Sequence, residues 1–347
     1  MAMSRPKRFT KHAWPTKRVE EKSMDSKNHW KNLLLHHPME WILLGMYVLL
    51  GLTAHGFLTL DNQLNVMRNI AVTGIIACGM TLVIISGEID LSVASMVAAA
   101  GCFCAWVVQQ MTPEEALEPD AWIVAVGVAL TLALGAAVGW VTGQLRKRAG
   151  VPTFITTLAM MAMLVGFGNL ITDGTPIESF PNWFGQLGSG RILHIPIPVY
   201  LFLVVVVAMH VVTRYTTFGR EVYAVGGNAE ASRLSGIDVW RTKTICLMLT
   251  SLFAAMGGVI YAALINSGNS TVAKGLELEV ISAVIIGGTS LFGGKGSIWG
   301  TFIGIMFMGV LLNGMTLWGF NPFWQDVVRG GLILLAVLLN QLVDRSA

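Results

Sequence analysis

Ten stretches of this 347-residue chain run for about the length of a membrane-crossing helix with almost no charge in them. They fall at 41–60, 69–86, 91–109, 121–143, 152–172, 196–213, 244–265, 277–292, 298–318 and 324–343. An apolar run in hydrocarbon must satisfy its own backbone, and coiling into a helix does so within one segment. The expected fold is therefore all-α, a polytopic membrane bundle of about ten transmembrane helices. Charged residues supply 12% of the chain, about half the share in ordinary soluble domains, so a water-facing surface cannot be assembled from it. No polar α/β domain of the kind an ATPase needs fits between the spans. The eighth window is the weakest. It is short, opened by Glu277 and Glu279 and broken by Gly287-Gly288, the pattern of a re-entrant segment or half-helix.

Basic residues set the expected orientation. Nine precede the first span, three stand at Arg146-Lys147-Arg148 and five lie between Arg214 and Lys243, against three (Arg68, Arg191, Lys274) in loops of opposite parity. Loops rich in Lys and Arg stay in the cytoplasm, which puts both termini there. The organisation read from this is a basic cytoplasmic tail over 1–38, a transmembrane domain over 39–344 and a cytoplasmic loop over 214–243. A net charge of +3 carried by such loops reports orientation and gives no footing for a nucleic-acid partner. Cys78, Cys102, Cys104 and Cys246 lie in apolar stretches, where thiols pack as small hydrophobes; they form no disulfide framework and no metal site. Glycines at four-residue spacing, Gly135/Gly139/Gly143 and Gly296/Gly300/Gly304, mark faces where helix backbones approach closely. Val83-Ile84-Ile85-Ser86-Gly87 also echoes Val284-Ile285-Ile286-Gly287-Gly288, at an offset different from that of the glycine stripes.

Three segments carry chemistry. The first, Ser86 to Ser95, is a polar knot between two strongly apolar helices and holds Glu88, Asp90, Ser92 and Ser95. Carboxylates bordering hydrocarbon are costly. Gly87 ends one helix and Asp90 N-caps the next, a reading compatible with these residues lining a substrate path or gate; a Glu88–Asp90 proton relay is the other use of the acids. The second is the loop 217–237, where Ala229 to Leu234 favours a short helix with Asn228 as N-cap, Glu230 in the first turn and Gly236 as its stop. A helix this short must rest on something, the bundle floor or a partner. The third, Gly287 to Gly296, imitates a phosphate-binding loop but has Thr289 where the pattern needs Gly and Gly296 where it needs Ser or Thr. It reads as a glycine-rich break whose Thr289 and Ser290 hydroxyls satisfy freed backbone groups or line the pathway. Elsewhere, His55 and His210 sit near span ends, Asn313 and Asn340 are placed for interhelical hydrogen bonds, and Arg329 pairs with Asp326 or snorkels.

The segments G-E-I-D-L-S-V-A-S at 87–95, T-F-G-R-E-V-Y-A-V-G-G-N-A-E-A-S-R-L-S-G-I at 217–237 and I-G-G-T-S-L-F-G-G-K-G-S at 286–297, in this order, resemble the permease subunit of bacterial ATP-binding-cassette sugar importers, the ribose, arabinose, xylose and galactose permeases. The resemblance spans about Met39 to Asp344. It implies a chain of the bacterial cytoplasmic membrane that forms only the path, paired with a second permease subunit, identical or not. It also implies separate ATPase subunits that use the ATP, so that this chain binds no cofactor, and a periplasmic or extracellular sugar-binding protein that delivers the cargo. The loop then carries the coupling element, here Gly227, Asn228, Glu230, Ala231, Arg233 and Gly236. Where many relatives have a second glycine this chain has Glu88, which implies that the carboxylate is optional to the class. A proton-coupled secondary transporter is the alternative, with Glu88, Asp90 or His210 as relay; an integral-membrane enzyme would need a convergent set of acids, histidines or metal ligands, which the sequence does not offer.

Overall fold

The computed structural model describes residues 38–346, with side chains to Leu338; the expected tail, but for Pro38, and the side chain of Asn340 lie outside the described residues. Each of the ten apolar windows holds a helix. In chain order the helices are α1 (Pro38–Thr53), α2 (Leu60–Ile85), α3 (Val93–Met111), α4 (Ala121–Ala149), α5 (Thr153–Thr172), the short α6 (Gly185–Ser189), α7 (Ile197–Tyr215), α8 (Thr217–Gly227), α9 (Ala229–Leu234), α10 (Val239–Ile265), α11 (Leu276–Ile286), α12 (Ile298–Leu317) and α13 (Pro322–Ser346). Seven of them, α2, α3, α4, α5, α7, α10 and α12, are long and apolar enough to cross a membrane.

Burial ranks these helices. In the most apolar window of α2, 89% of residues are buried, against 28% in α4, α5 and α7, so α2 is the axis of the bundle and the other three lie at its periphery. Helix α10 packs on α2, α3 and α4. Both glycine stripes serve close approach as expected. A methyl group on Gly139 would lie 2.5 Å from the Leu247 carbonyl oxygen of α10, and one on Gly304 would strike the Ala283 carbonyl of α11 at 2.0 Å. With only 11 residues α11 is a half-helix, about 16 Å long at ~1.5 Å per residue. That is half of a roughly 30 Å hydrocarbon layer.

Some boundaries move. The window at 41–60 covers α1 and a turn, because Gly56 adopts φ +81° and α2 already begins at Leu60. Polar residues hid that first part of α2, and three of them are engaged: Asn62 and Asn313 exchange amide bonds at 3.0 and 2.9 Å, Gln63 donates to the Phe57 carbonyl, and Arg191 lies 3.8 Å from Asp61. The basic run Arg146-Lys147-Arg148 forms the last turn of α4, where cations meet the negative end of the helix dipole. At the end of the bundle remote from that run, Leu193 and His194 take positive φ and close a two-residue hairpin between strands β1 (Arg191–Ile192) and β2 (Ile195–Pro196).

Candidate functional site

The helix breaks are built alike. At the end of α2, Gly87 takes φ +79°, its N–H bonds the Ile84 carbonyl and the Glu88 N–H bonds that of Val83. At the end of α11, Gly288 takes φ +89°, its N–H bonds Ile285 and the Thr289 N–H bonds Val284. Both are Schellman motifs, which need a residue free to enter the left-handed region. The echo between the two sequences thus encodes the same helix stop twice, and Gly87 ends α2 as the spacing predicts.

Asp90 does not cap α3. The cap position is Ser92, two residues on, and Asp90 Oδ1 accepts both the Ser92 N–H at 2.9 Å and its Oγ–H at 2.6 Å. The chain needs those two residues to turn before the helix begins, so the carboxylate organises the approach to the cap. Ser95 donates to the Ser92 carbonyl. Asp90, Ser92 and Ser95 are all buried.

Glu88 points to different partners altogether. Its Oε1 accepts from Lys243 Nζ at 2.6 Å and lies 3.6 Å from Arg146 Nε, with the Glu88 side chain 8% and the Lys243 side chain 13% exposed. Arg146 in turn sits 5.3 Å above the Trp240 ring, a cation–π contact. The break after α2 is thereby tied to the last turn of α4 and the first of α10.

The second break and the 217–237 loop close on the same spot. The Gly294 N–H donates to the Ile85 carbonyl at 2.8 Å, and Tyr223 donates its hydroxyl to the Gly296 carbonyl at 2.9 Å. A methyl group on Gly226 would stand 1.7 Å from the Ile85 oxygen, and one on Gly294 2.9 Å from Gly227 Cα. Only backbone without side chains can pack this closely. Thr289 is buried beside Gly296, while Ser290 closes its turn by bonds from its N–H to the Lys295 carbonyl and from the Gly293 N–H to its own. All three segments singled out in the sequence therefore meet at one end of the bundle.

From this junction the loop projects outward. Sequence reasoning missed α8, since Gly219, Gly226 and Gly227 argue against a helix; Thr216 starts it by accepting the Gly219 N–H. The short helix α9 is as expected. Asn228 Oδ1 accepts the Ala231 N–H at 2.9 Å, and Gly236 at φ +87° ends it. Ser232 is its buried residue. Glu230 and Arg233 form a two-bond pair at 2.6 and 3.0 Å, with side chains 67% and 64% exposed. Hydrogen bonds from Arg233 and its charge hold the Glu230 carboxyl below its ordinary range.

Sequence reasoning also missed a polar cluster midway along α2, at the start of the half-helix. Arg329 joins Asp326 at 3.3 Å, as the spacing predicts, and reaches Glu279 of α11 at 3.4 Å. Thr73 of α2 donates to the same carboxylate. It ties α13 and α2 to the start of the half-helix.

The comparisons with known proteins bear on this geometry. Residues 62–337, which include both breaks and the whole loop, match the family described as the permease component of a branched-chain amino acid transport system. The chain belongs to this permease family. The ribose import permease protein of Escherichia coli strain K12 is 40% identical over 302 residues, covering 86% of this chain and 91% of that one. The ribose import permease of Bacillus subtilis strain 168 is 37% identical over 307 residues, with 86% and 91% covered. The L-arabinose permease of Azospirillum brasilense is 36% identical over 300 residues, with 86% of each covered. No solved structure matches. This permease is accordingly a multi-pass protein of the bacterial cytoplasmic membrane and a transport component of an ATP-binding-cassette system.

Proposed function

We propose that the chain is the translocating subunit of an importer for a monosaccharide or related polyol, driven by ATPase subunits that dock on α9. The observation that carries this reading is the junction: a loop with an exposed ion pair at its tip is locked, backbone to backbone, onto two helix breaks. A push on α9 is delivered to the ends of α2 and α11. The basic end of the bundle faces the cytoplasm on the excess of Lys and Arg there, the ten helices at membrane level cross or enter the bilayer, and both termini return to that side.

The relatives' names favour a sugar over an amino acid. An uncharged sugar needs no fixed counter-charge, and Glu88 is neutralised by Lys243 and Arg146. Asp90, Ser92, Ser95, Thr289 and Ser290 flank the gate, where they hold the breaks in shape. Coupling falls to Gly227, Asn228, Glu230, Ala231, Arg233 and Gly236. Delivery falls to an external sugar-binding protein, and a second permease copy or homologue completes the path. ATP is bound and hydrolysed by the partner subunits alone.

The test is uptake in vesicles holding the whole system, with labelled ribose, arabinose and leucine offered in turn. Saturable uptake of a sugar, undisturbed by excess leucine, is expected. Uptake of leucine with none of any sugar or polyol would overturn the substrate class.

A further inference from the structure

A cavity of about 740 Å³ opens between α7, α8 and α12 at the basic end of the bundle, and nothing in the transport reading uses it. Its polar lining includes Arg214, His210, Thr213 and Tyr223, and Trp299 forms part of its rim. None of its lining residues is acidic. Arg214 is exposed and has no ion pair among the described residues. The charge of the cavity therefore suits an anion.

Its mouth opens beside an exposed apolar stripe of α7. Val204, Val207 and Val211 are exposed at 66%, 62% and 46%, and their spacing of three and four puts them on one stripe of α7. Three residues further along stands Arg214. Trp299, also exposed, is the amphipathic ring expected at the level of headgroups. A ligand with phosphate at Arg214 and an acyl chain along the valines satisfies both halves, whereas free phosphate would leave the stripe without purpose.

We infer that this cavity is a binding site for the headgroup of an anionic phospholipid of the cytoplasmic leaflet, with Arg214 as its main phosphate contact and His210 beside it. Basic pockets between membrane helices on that side suit such headgroups. Tyr223 forms part of the wall and bonds Gly296, so an occupied site stiffens the junction itself.

The experiment uses the full-length chain in mild detergent, titrated with phosphatidylglycerol or phosphatidylcholine of equal acyl length and read by native mass spectrometry. Wild type should prefer phosphatidylglycerol. Arg214→Gln should weaken that lipid roughly fivefold, the worth of one basic residue at a membrane surface, and leave phosphatidylcholine unchanged. Arg220→Gln, an exposed change outside the cavity, should behave as wild type, and His210→Gln should reproduce part of the Arg214→Gln loss. Three results would overturn the inference: equal phosphatidylglycerol binding by wild type and Arg214→Gln, displacement of the lipid by millimolar inorganic phosphate, or disulfide pairing of Val207→Cys between two copies in native membranes, which would make this face a subunit contact.

Discussion

Neutralising Lys243 isolates the contribution of the Glu88 tie. In the native chain the ammonium sits 2.6 Å from Glu88 Oε1, with the two side chains 13% and 8% exposed. Removing one member of a well-buried pair costs roughly 3–5 kcal/mol, because the remaining charge stays desolvated. Here Arg146 still stands 3.6 Å from the carboxylate and is itself 25% exposed, so the expected cost of Lys243→Met is lower, about 2 kcal/mol. Glu88→Gln should cost less, since Lys243 has a long stem on which its charge can reach water. The double variant should be little worse than Glu88→Gln, giving a coupling energy of about 1–2 kcal/mol. Equilibrium unfolding in mixed micelles measures all four corners of the cycle. Independent, additive effects of the two changes would refute the assignment of Lys243 as the partner of Glu88.

The junction makes a sharper steric forecast. Gly226→Ala should abolish uptake and lower membrane abundance, because its methyl group meets the Ile85 carbonyl at 1.7 Å, whereas Gly227→Ala, with nothing within 4 Å, should insert normally; quantitative blots compare the two. Glu230→Lys should leave abundance unchanged while abolishing substrate-stimulated ATP hydrolysis by the assembled importer, and wild-type stimulation would remove α9 from coupling. Because the Glu230 carboxyl is held low, its pair with Arg233 persists above the ordinary glutamate range and is lost only as pH falls through the lowered value; a pH titration of the loop by NMR should show this. Asn62→Leu removes both amide bonds to Asn313 and should cost about 1 kcal/mol, at ~0.6 for each hydrogen bond between membrane helices, and unfolding of Asn62→Leu/Asn313→Leu should recover part of it.

What the sequence revealed follows from how local each signal is. Charge-free length found a helix in every window, seven of them long and apolar enough to cross a membrane, and glycine at a helix end announced both Schellman stops, since these depend on residues within one turn. The Asn228 cap and the Glu230–Arg233 pair were legible for the same reason. The partners of Glu88 were not: Lys243 is 155 positions away, and no periodicity reports that distance. Asp90 was misread as a cap because cap preference fixes the residue type but leaves two positions of play. Helix α8 was hidden by its glycines, whose purpose is tertiary, the close approach to Ile85 and Gly294. The first part of α2 was hidden by polar residues, among them Asn62, whose place only its cross-helix bonds to Asn313 explain.

The claim that this chain is a path worked by separate ATPases is tested most directly by the source of energy for uptake. Vesicles carrying the permease, its ATPase subunits and an external binding protein should accumulate sugar when ATP is supplied on the ATPase side, with a protonophore present, and should stop when ATP is withheld. Accumulation by the permease alone under a proton gradient, without ATP or binding protein, would contradict the account and make the chain a secondary transporter.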